Sequence, residues 1–264
     1  MGDFTREEFR RLNKFNRIYV LVSGGRDSTY VTLKLYSLRF WIKKPVYLLW
    51  GDTGNSMAQN RQIMKELSLK TGWELIVIEN TLNGSVSNND RKRTKRKKKN
   101  KSSMKLVIDS MKQLPKAKRL LEEGKYSKKV FPCCYQLKEK PFMNWLKRED
   151  HSNDVFIVGI KLGDGWQRRR FLLDMIEQQE KFRFNRMKKV WYYYPLRDTI
   201  TKNVNELLTK EKEFWNTPHS GCRVCPIIAL FDLKREGERY ERTIKVLRRL
   251  ENKDSLIKIN GGDK

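Results

Sequence analysis

Short apolar blocks alternate along the first third of the chain with longer stretches in which apolar positions recur every three or four residues. Residues 4–15 are charged and mildly amphipathic and predict a short leading helix. Ile18-Tyr19-Val20-Leu21-Val22 is β-branched and apolar on both faces, the pattern of a strand inside a parallel sheet. It runs into Ser23-Gly24-Gly25. Val31, Leu35, Leu38 and Ile42 then fall on one helical stripe, and Pro45 closes the connection. Val46-Tyr47-Leu48-Leu49-Trp50 predicts a second strand ending at Gly51-Asp52-Thr53-Gly54. A helix from about Ser56 to Thr71 carries Ile63 and Leu67 on one face, with Gly72 as its stop. Leu75-Ile76-Val77-Ile78 is a third strand. Helices between strands at this spacing require right-handed crossovers and a parallel sheet. The loops after the strands then share the sheet's carboxyl edge, where such folds bind ligands.

The pattern then breaks. Asn83 to Asp90 is polar and turn-rich, and Arg91 to Lys101 carries nine positive charges in eleven residues. Their mutual repulsion predicts a mobile loop or tail-like insertion, either a solvated charge run or a phosphate-contacting arm. Helices are expected over Met104–Glu123 and Gln136–Lys147, and a fourth strand over Val155–Gly159. A Gly- and Arg-rich loop follows, with Lys161, Gly163, Gly165 and Arg168 to Arg170. Phe171–Lys189 reads as helix, Val190–Pro195 as a fifth strand, and Glu238–Leu250 as a last helix. The expected fold is α/β: a Rossmann-like parallel five-stranded sheet with helices on both faces, plus a C-terminal helical Cys-containing segment. Residues 1–200 form the nucleotide-binding domain, with 84–104 as a basic mobile insertion. Residues 201–264 pack on it and supply Cys222 and Cys225.

Charge changes the picture of partners. Of 264 residues, 58 are Lys or Arg and 31 Asp or Glu, a net +27. Such a surface concentrates polyanions. No apolar run nears the roughly 18 residues of a membrane-spanning helix, and Met1 to Thr5 shows no apolar signal segment. The expectation is a soluble cytoplasmic protein with no membrane contact.

The four cysteines come as an adjacent pair, Cys133-Cys134, and a Cys-x-x-Cys pair, Cys222 and Cys225, with 87 residues between the pairs. This is too sparse for a disulfide scaffold. Pro132, Gly221 and Pro226 flank them as turn formers. Four thiolates suit tetrahedral zinc or an iron–sulfur cluster, and a redox disulfide or plain buried thiols are the other readings. Of the two histidines, His219 reads as a solvated loop residue near Cys222 and His151 as part of a polar surface turn.

The candidate catalytic loop is Ser23-Gly24-Gly25-Arg26-Asp27-Ser28-Thr29, between a buried strand and a helix. The glycines accept positive φ and let a phosphate approach the backbone. The following N–H groups open a helix, where partial positive charge collects. Asp27 orients Mg²⁺ or holds the loop. The segment is neither a Walker A loop nor a dinucleotide Gly-x-Gly-x-x-Gly.

These residues resemble the PP-loop of the adenine nucleotide alpha hydrolase-like superfamily. Asp52-Thr53-Gly54, Cys133-Cys134 with Lys138 and Lys140-Pro141, and Gly221-Cys222-Arg223-Val224-Cys225-Pro226 resemble segments of sulfonucleotide reductases. Gly159-Ile160-Lys161 with Arg168 resembles their Gly-Ile-Arg…Arg segment more loosely. The chain is thus similar to the phosphoadenosine phosphosulfate (PAPS) reductase family over residues 18 to 226. The resemblance implies Ser23, Gly24, Gly25, Arg26, Asp27, Ser28, Asp52, Gly159, Lys161 and Arg168 at the nucleotide, with Asp27 catalytic. It implies ATP or an adenosine phosphosulfate as the bound nucleotide, and Mg²⁺ placed by Asp27 with Asp52. It implies a [4Fe–4S] cluster on Cys133, Cys134, Cys222 and Cys225, with Zn²⁺ as second choice. The family's C-terminal nucleophilic cysteine has no counterpart after Cys225, and Lys161 replaces the usual Arg. Adenylylation coupled to sulfur transfer onto tRNA or DNA is therefore the first expectation. A sulfonucleotide reductase using an external thiol is the second, and a non-catalytic nucleic-acid-binding module the third. A sulfur-donor protein and a second copy of the chain are the further candidate partners.

Overall fold

The computed structural model describes residues 4–79, 103–127, 130–162, 166–199, 201–211, 214, 222–234 and 240–250. The basic run 91–101, most of the expected 84–104 insertion, Gly163, Gly165, His219, Gly221 and residues 251–264 lie outside them.

In chain order the elements are α1 (Arg6–Leu12), β1 (Ile18–Leu21), α2 (Arg26–Ser37), β2 (Val46–Asp52), α3 (Ala58–Thr71) and β3 (Glu74–Glu79). Then follow α4 (Ser103–Met111), α5 (Leu114–Glu122), α6 (Pro132–Cys134), α7 (Lys140–Leu146), β4 (Val155–Val158) and α8 (Trp166–Glu177). The rest are β5 (Phe182–Asn185), β6 (Val190–Tyr193), α9 (Thr201–Lys210) and α10 (Pro226–Leu230). Residues 240–250 are also helical. Local chemistry accounts for several ends. Thr5 and Glu8 make a reciprocal capping box at α1. Gly72, at φ 69°, terminates α3 in the left-handed conformation that its missing side chain permits.

The strands form one six-stranded sheet in the order β3-β2-β1-β4-β6-β5. β1 pairs parallel with β2 and with β4, Ile18 opposite both Val46 and Val155, and β4 pairs parallel with β6. β1 is therefore central, which is why both of its faces are apolar. Ile18 and Val20 join one buried layer with Val31, Leu35 and Leu48, while Tyr19 joins the opposite layer with Leu49, Trp145 and Phe156. The strand order reverses between β1 and β4. Their carboxyl ends are therefore the switch point at which open α/β sheets take ligands.

Three expectations need correction. The helix expected over Phe171–Lys189 stops at Glu177, and Phe182–Asn185 is a sixth strand, antiparallel to β6. Gln179 and Lys189, both at φ 53°, bracket it, and Phe182 is buried while Phe184 is exposed, the two-residue alternation of a strand. The helix expected over Met104–Glu123 is broken, because Pro115 sits in the first turn of a separate α5. The helix expected from Gln136 instead begins around the cysteines as α6, widens into a π-helical turn at Tyr135–Glu139, and continues as α7.

His151 is the fourth correction. It is 3% exposed rather than on a surface turn. Its Nδ1 lies 2.8 Å from Asp154 Oδ2 and its ring stacks on Trp145 at 4.5 Å. Arg17 explains the burial. Its guanidinium donates to both carboxylate oxygens of Asp154, to Glu149 at 2.5 Å and to the Asp150 carbonyl, folding the polar turn onto the amino edge of the sheet. The Arg17 bond holds the Glu149 carboxyl below its ordinary range. Asp154 is 1% exposed, so removing Arg17 strands most of its charge. Arg17→Met is expected to cost about 3 kcal/mol, at the low end for a broken buried pair because His151 remains. A urea unfolding midpoint equal to that of the native chain would refute this.

The chain divides into two compact units. The first takes its described residues from Met1–Gly51, Met57–Ile78 and Phe142–Gly221 and contains both layers named above. The second takes them from Asp52–Ser56, Glu79–Pro141 and Cys222–Lys264, around Val107, Met111, Phe131, Cys133, Leu137 and Val224. Among the described residues no helix is long and apolar enough to cross a membrane.

Candidate functional site

In the first unit, the loop after β1 turns sharply at Gly24, whose φ is 69°. A Cβ there would stand 2.7 Å from Asn60 Cα and 2.8 Å from its carbonyl oxygen, so α3 leaves no room for any side chain. Gly25 then caps α2 in an extended conformation without a side-chain hydrogen bond. The turn is stitched by hydroxyls. The Ser23 N–H donates to Ser28 Oγ at 3.2 Å, the two serine hydroxyls lie 3.2 Å apart, and Ser28 Oγ donates to the Gly25 carbonyl at 3.0 Å. The first-turn N–H groups of α2 have no acceptor within the helix, and they open at the carboxyl end of β1.

The loop after β4 meets this turn. A Cβ on Gly159 would come within 3.0 Å of the Asp27 carbonyl oxygen and 3.2 Å of the Ser28 nitrogen. Two residues on, Lys161 is 8% exposed and places Nζ 2.5 Å from each carboxylate oxygen of Asp27. Ser23, Gly24, Gly25, Asp27, Ser28, Gly159 and Lys161 are thus gathered at the switch point. Arg26 donates to Asn205 Oδ1 at 3.4 Å, and Arg168 is exposed at the start of α8.

In the second unit, Asp52 accepts from the Gly54 N–H at 2.9 Å and closes a turn with Thr53 and Ser56. Asp27 pairs with Lys161 in the first unit, and Asp52 closes this turn in the second. The turn holds the Cys-x-x-Cys segment. Asn55 Nδ2 donates to the Val224 carbonyl at 2.9 Å, the Arg223 N–H donates to the Asn55 carbonyl at 2.6 Å, and Ser56 bridges to Cys222.

All four cysteines lie in this unit, and none forms a disulfide. They are in electrostatic reach of one another. A hydrogen bond with Cys134 holds the Cys133 thiol below its ordinary value, helped by Ser110 and opposed by burial and by Cys222 and Cys225. Burial pushes the Cys225 thiol up, with Cys222 and Cys134 adding and Lys138 opposing. Ser110 Oγ also accepts the Cys133 N–H at 3.1 Å, and Thr243 Oγ1 accepts the Cys225 N–H at 3.2 Å. The Tyr126 phenol is pushed up to about 12 by burial, reinforced by Cys134 and Cys225. As the side chains stand, no three or more His, Cys, Asp or Glu among the described residues close around a single ion.

The fold is similar to that of a phosphoadenylyl-sulfate reductase. That enzyme, from Candida auris and solved with phosphate, is 12% identical, with 87% of this chain and 85% of that chain covered and a TM-score of 0.49. The U34-tRNA thiolase NcsA from Methanococcus maripaludis, solved with its [4Fe-4S] cluster, is 13% identical, with 93% and 77% covered and a TM-score of 0.42. The NMN synthetase of Francisella tularensis is 16% identical, with 93% and 94% covered and a TM-score of 0.37. No family model matches the chain, and no curated protein matches it.

Sequence reasoning missed Asn60 behind Gly24, Asn55 behind Val224, and Ser110, Tyr126 and Thr243 around the thiols. Asn55 follows directly on Asp52-Thr53-Gly54 and could have been singled out as a turn residue. The others sit in helices or connections with no local signal.

Proposed function

We propose that the chain is a PP-loop ATP pyrophosphatase that adenylylates an oxygen of a nucleic acid and passes sulfur to the activated carbon. The observation that carries this reading is the meeting of the Gly24 turn, the N-terminus of α2 and the Lys161–Asp27 pair at one crevice. ATP enters as its Mg²⁺ complex. Its β- and γ-phosphates lie against Gly24, Gly25 and the first turn of α2, with the serine hydroxyls as further donors. Asp27 holds Lys161 at the crevice, where the ammonium stabilises the charge that grows on the leaving group. A substrate oxygen bonds to the α-phosphorus while the bond to the bridging oxygen breaks, and pyrophosphate departs with the electron pair. A sulfur nucleophile at the oxidation level of hydrosulfide then adds at the carbon, and AMP leaves in turn. No electrons are gained or lost overall.

Cys133, Cys134, Cys222 and Cys225 would hold the [4Fe–4S] cluster: the donors are all thiols, grouped in one unit and backed by Ser110 and Thr243. Bound there, the cluster supplies a carrier for sulfur or a brace for the fold. Zinc on the same thiols is the alternative occupant. The polyanionic acceptor is supported by the net charge of +27.

Lys161→Met is expected to lower the rate of ATP–pyrophosphate exchange about 10²–10³-fold, the usual cost of losing one preorganised charge-stabilising donor. Asp27→Asn is expected to follow it in direction, because the lysine loses its anchor. Exchange in the native chain should rise on addition of RNA or DNA. Unaltered exchange in both variants would sink the assignment of this crevice, and sulfite release from adenylylsulfate would point to a reductase instead.

A further inference from the structure

We infer that the turn linking α2 to β2 is a stacking platform for single-stranded nucleic acid, a docking surface on the first unit for the acceptor strand. This rests on the reading of the acceptor as nucleic acid and adds where it is held.

The helical stripe of Val31 and Leu35 continues inward through Leu38 and Ile42, which pack against the core. Between those two, the chain makes a tight helical turn, Arg39–Trp41, and sends two large rings outward. Phe40 is 70% exposed and Trp41 42%, with centroids 5.6 Å apart. Exposed large aromatics side by side are costly in water and mark a binding surface more than a structural need.

The turn is rigid. The Trp41 N–H donates to the Leu38 carbonyl at 3.0 Å, and the Ile42 N–H to the Arg39 carbonyl at 2.9 Å. Asn13, at the end of α1, grips it from outside: its Nδ2 donates to the Trp41 carbonyl at 2.9 Å and its Oδ1 accepts the Lys43 N–H at 2.8 Å. The rings are therefore held out by structure, not left out by accident of a loose loop.

The surroundings are cationic. Arg6 lies over the Trp41 ring at 5.7 Å, and Arg39 and Lys43 are exposed on the same turn. The acidic residue nearest in sequence on α1, Glu7, pairs with Arg10 at 3.3 Å. Farther round α1 and just past its end, Arg11 and Lys14 line an open cleft of about 470 Å³ with Glu7, Phe15, Asn153 and Trp191, the Arg11 guanidinium lying over the Trp191 ring at 5.6 Å. Rings for bases and cations for phosphates, at one site, are the parts of a single-strand binder. The same charge disfavours a second copy of this chain, which would bring like charge to like.

The test uses the full chain and a short fluorescent uridine oligonucleotide, read by anisotropy over a salt series. Phe40→Ala with Trp41→Ala is expected to weaken binding at least about tenfold at every salt concentration, with the salt slope unchanged, because stacking is lost and phosphate contacts are kept. Arg39→Ala and Lys43→Ala should each lower the salt slope by about one. Neither ring belongs to the nucleotide loop, so ATP binding by the double variant should match that of the native chain and its unfolding should stay cooperative. Native binding that survives the double substitution overturns the platform and leaves the acceptor reading in place. A native chain that binds no oligonucleotide overturns both. A native dimer that the double substitution splits, with oligonucleotide affinity unchanged, shows the rings to be a self-association surface and also overturns it.

Discussion

Gly24→Val is expected to abolish nucleotide binding and to lower the stability of the chain by about 2–5 kcal/mol. Two separate costs combine. At φ 69° a β-branched residue is held in a conformation it strongly disfavours. Its Cβ would also stand 2.7 Å from the Asn60 Cα and 2.8 Å from the Asn60 carbonyl oxygen. Those are backbone atoms of α3, so relief requires α3 or the loop to move. Moving the loop turns the first-turn N–H groups of α2 away from the phosphates. Gly24→Ala should keep most of both penalties, since the clash is with Cβ itself. Asn60→Ala removes the Cβ-linked atoms beyond the contact but not the backbone, so it should rescue little. Calorimetric titration with ATP and a thermal melt measure the two effects together. Native-like heat of binding in Gly24→Val would remove the basis of the nucleotide site.

Serine at any one of Cys133, Cys134, Cys222 or Cys225 is expected to bleach the protein. Anaerobically purified native chain should be brown, with the visible absorption of an iron–sulfur centre, and each variant should lose most of its bound iron. The loss should exceed the roughly 10–100-fold in metal affinity that outer-shell changes cost. Ser110→Ala is the matched outer-shell case. Ser110 accepts the Cys133 N–H and holds the Cys133 thiol toward its charged form, so its removal should weaken the centre without eliminating it. The second unit should also become easier to proteolyse, since a metal centre contributes to folding where its ligands come from distant segments. Colourless native protein carrying zinc would assign the same thiols to zinc. Native protein with neither metal would leave the cysteines as plain thiols.

The resemblance rested on a few short segments, and these fared unevenly against the tertiary structure. The Ser23–Ser28 loop was readable because every requirement in it is local: a two-sided apolar strand, a glycine that must take positive φ, and a helix start. Gly159 and Lys161 are nucleotide residues by resemblance alone; the structure sets both against Asp27 at the carboxyl ends of β1 and β4. Their partners were not foreseen. That Lys161 grips Asp27 depends on two loops 134 residues apart in the chain meeting at the switch point. Only the folded turn ties Asp52 to Gly54 and, through Asn55, to the Cys-x-x-Cys segment.

Helix and strand identity were set within windows of five to fifteen residues wherever hydrophobic periodicity was strong, as in β1, α2, β2 and α3. Where periodicity was weak, neighbours decided. Phe182–Asn185 is a strand because β6 offers it an edge to pair with, and an edge partner leaves no mark on the segment itself. His151 is buried because Arg17, far away in the chain, neutralises the acidic turn around it. Short-range sterics and periodicity are written into adjacent residues. Burial, charge pairing and close backbone approach depend on which distant segments meet, and that information exists only once the chain has folded.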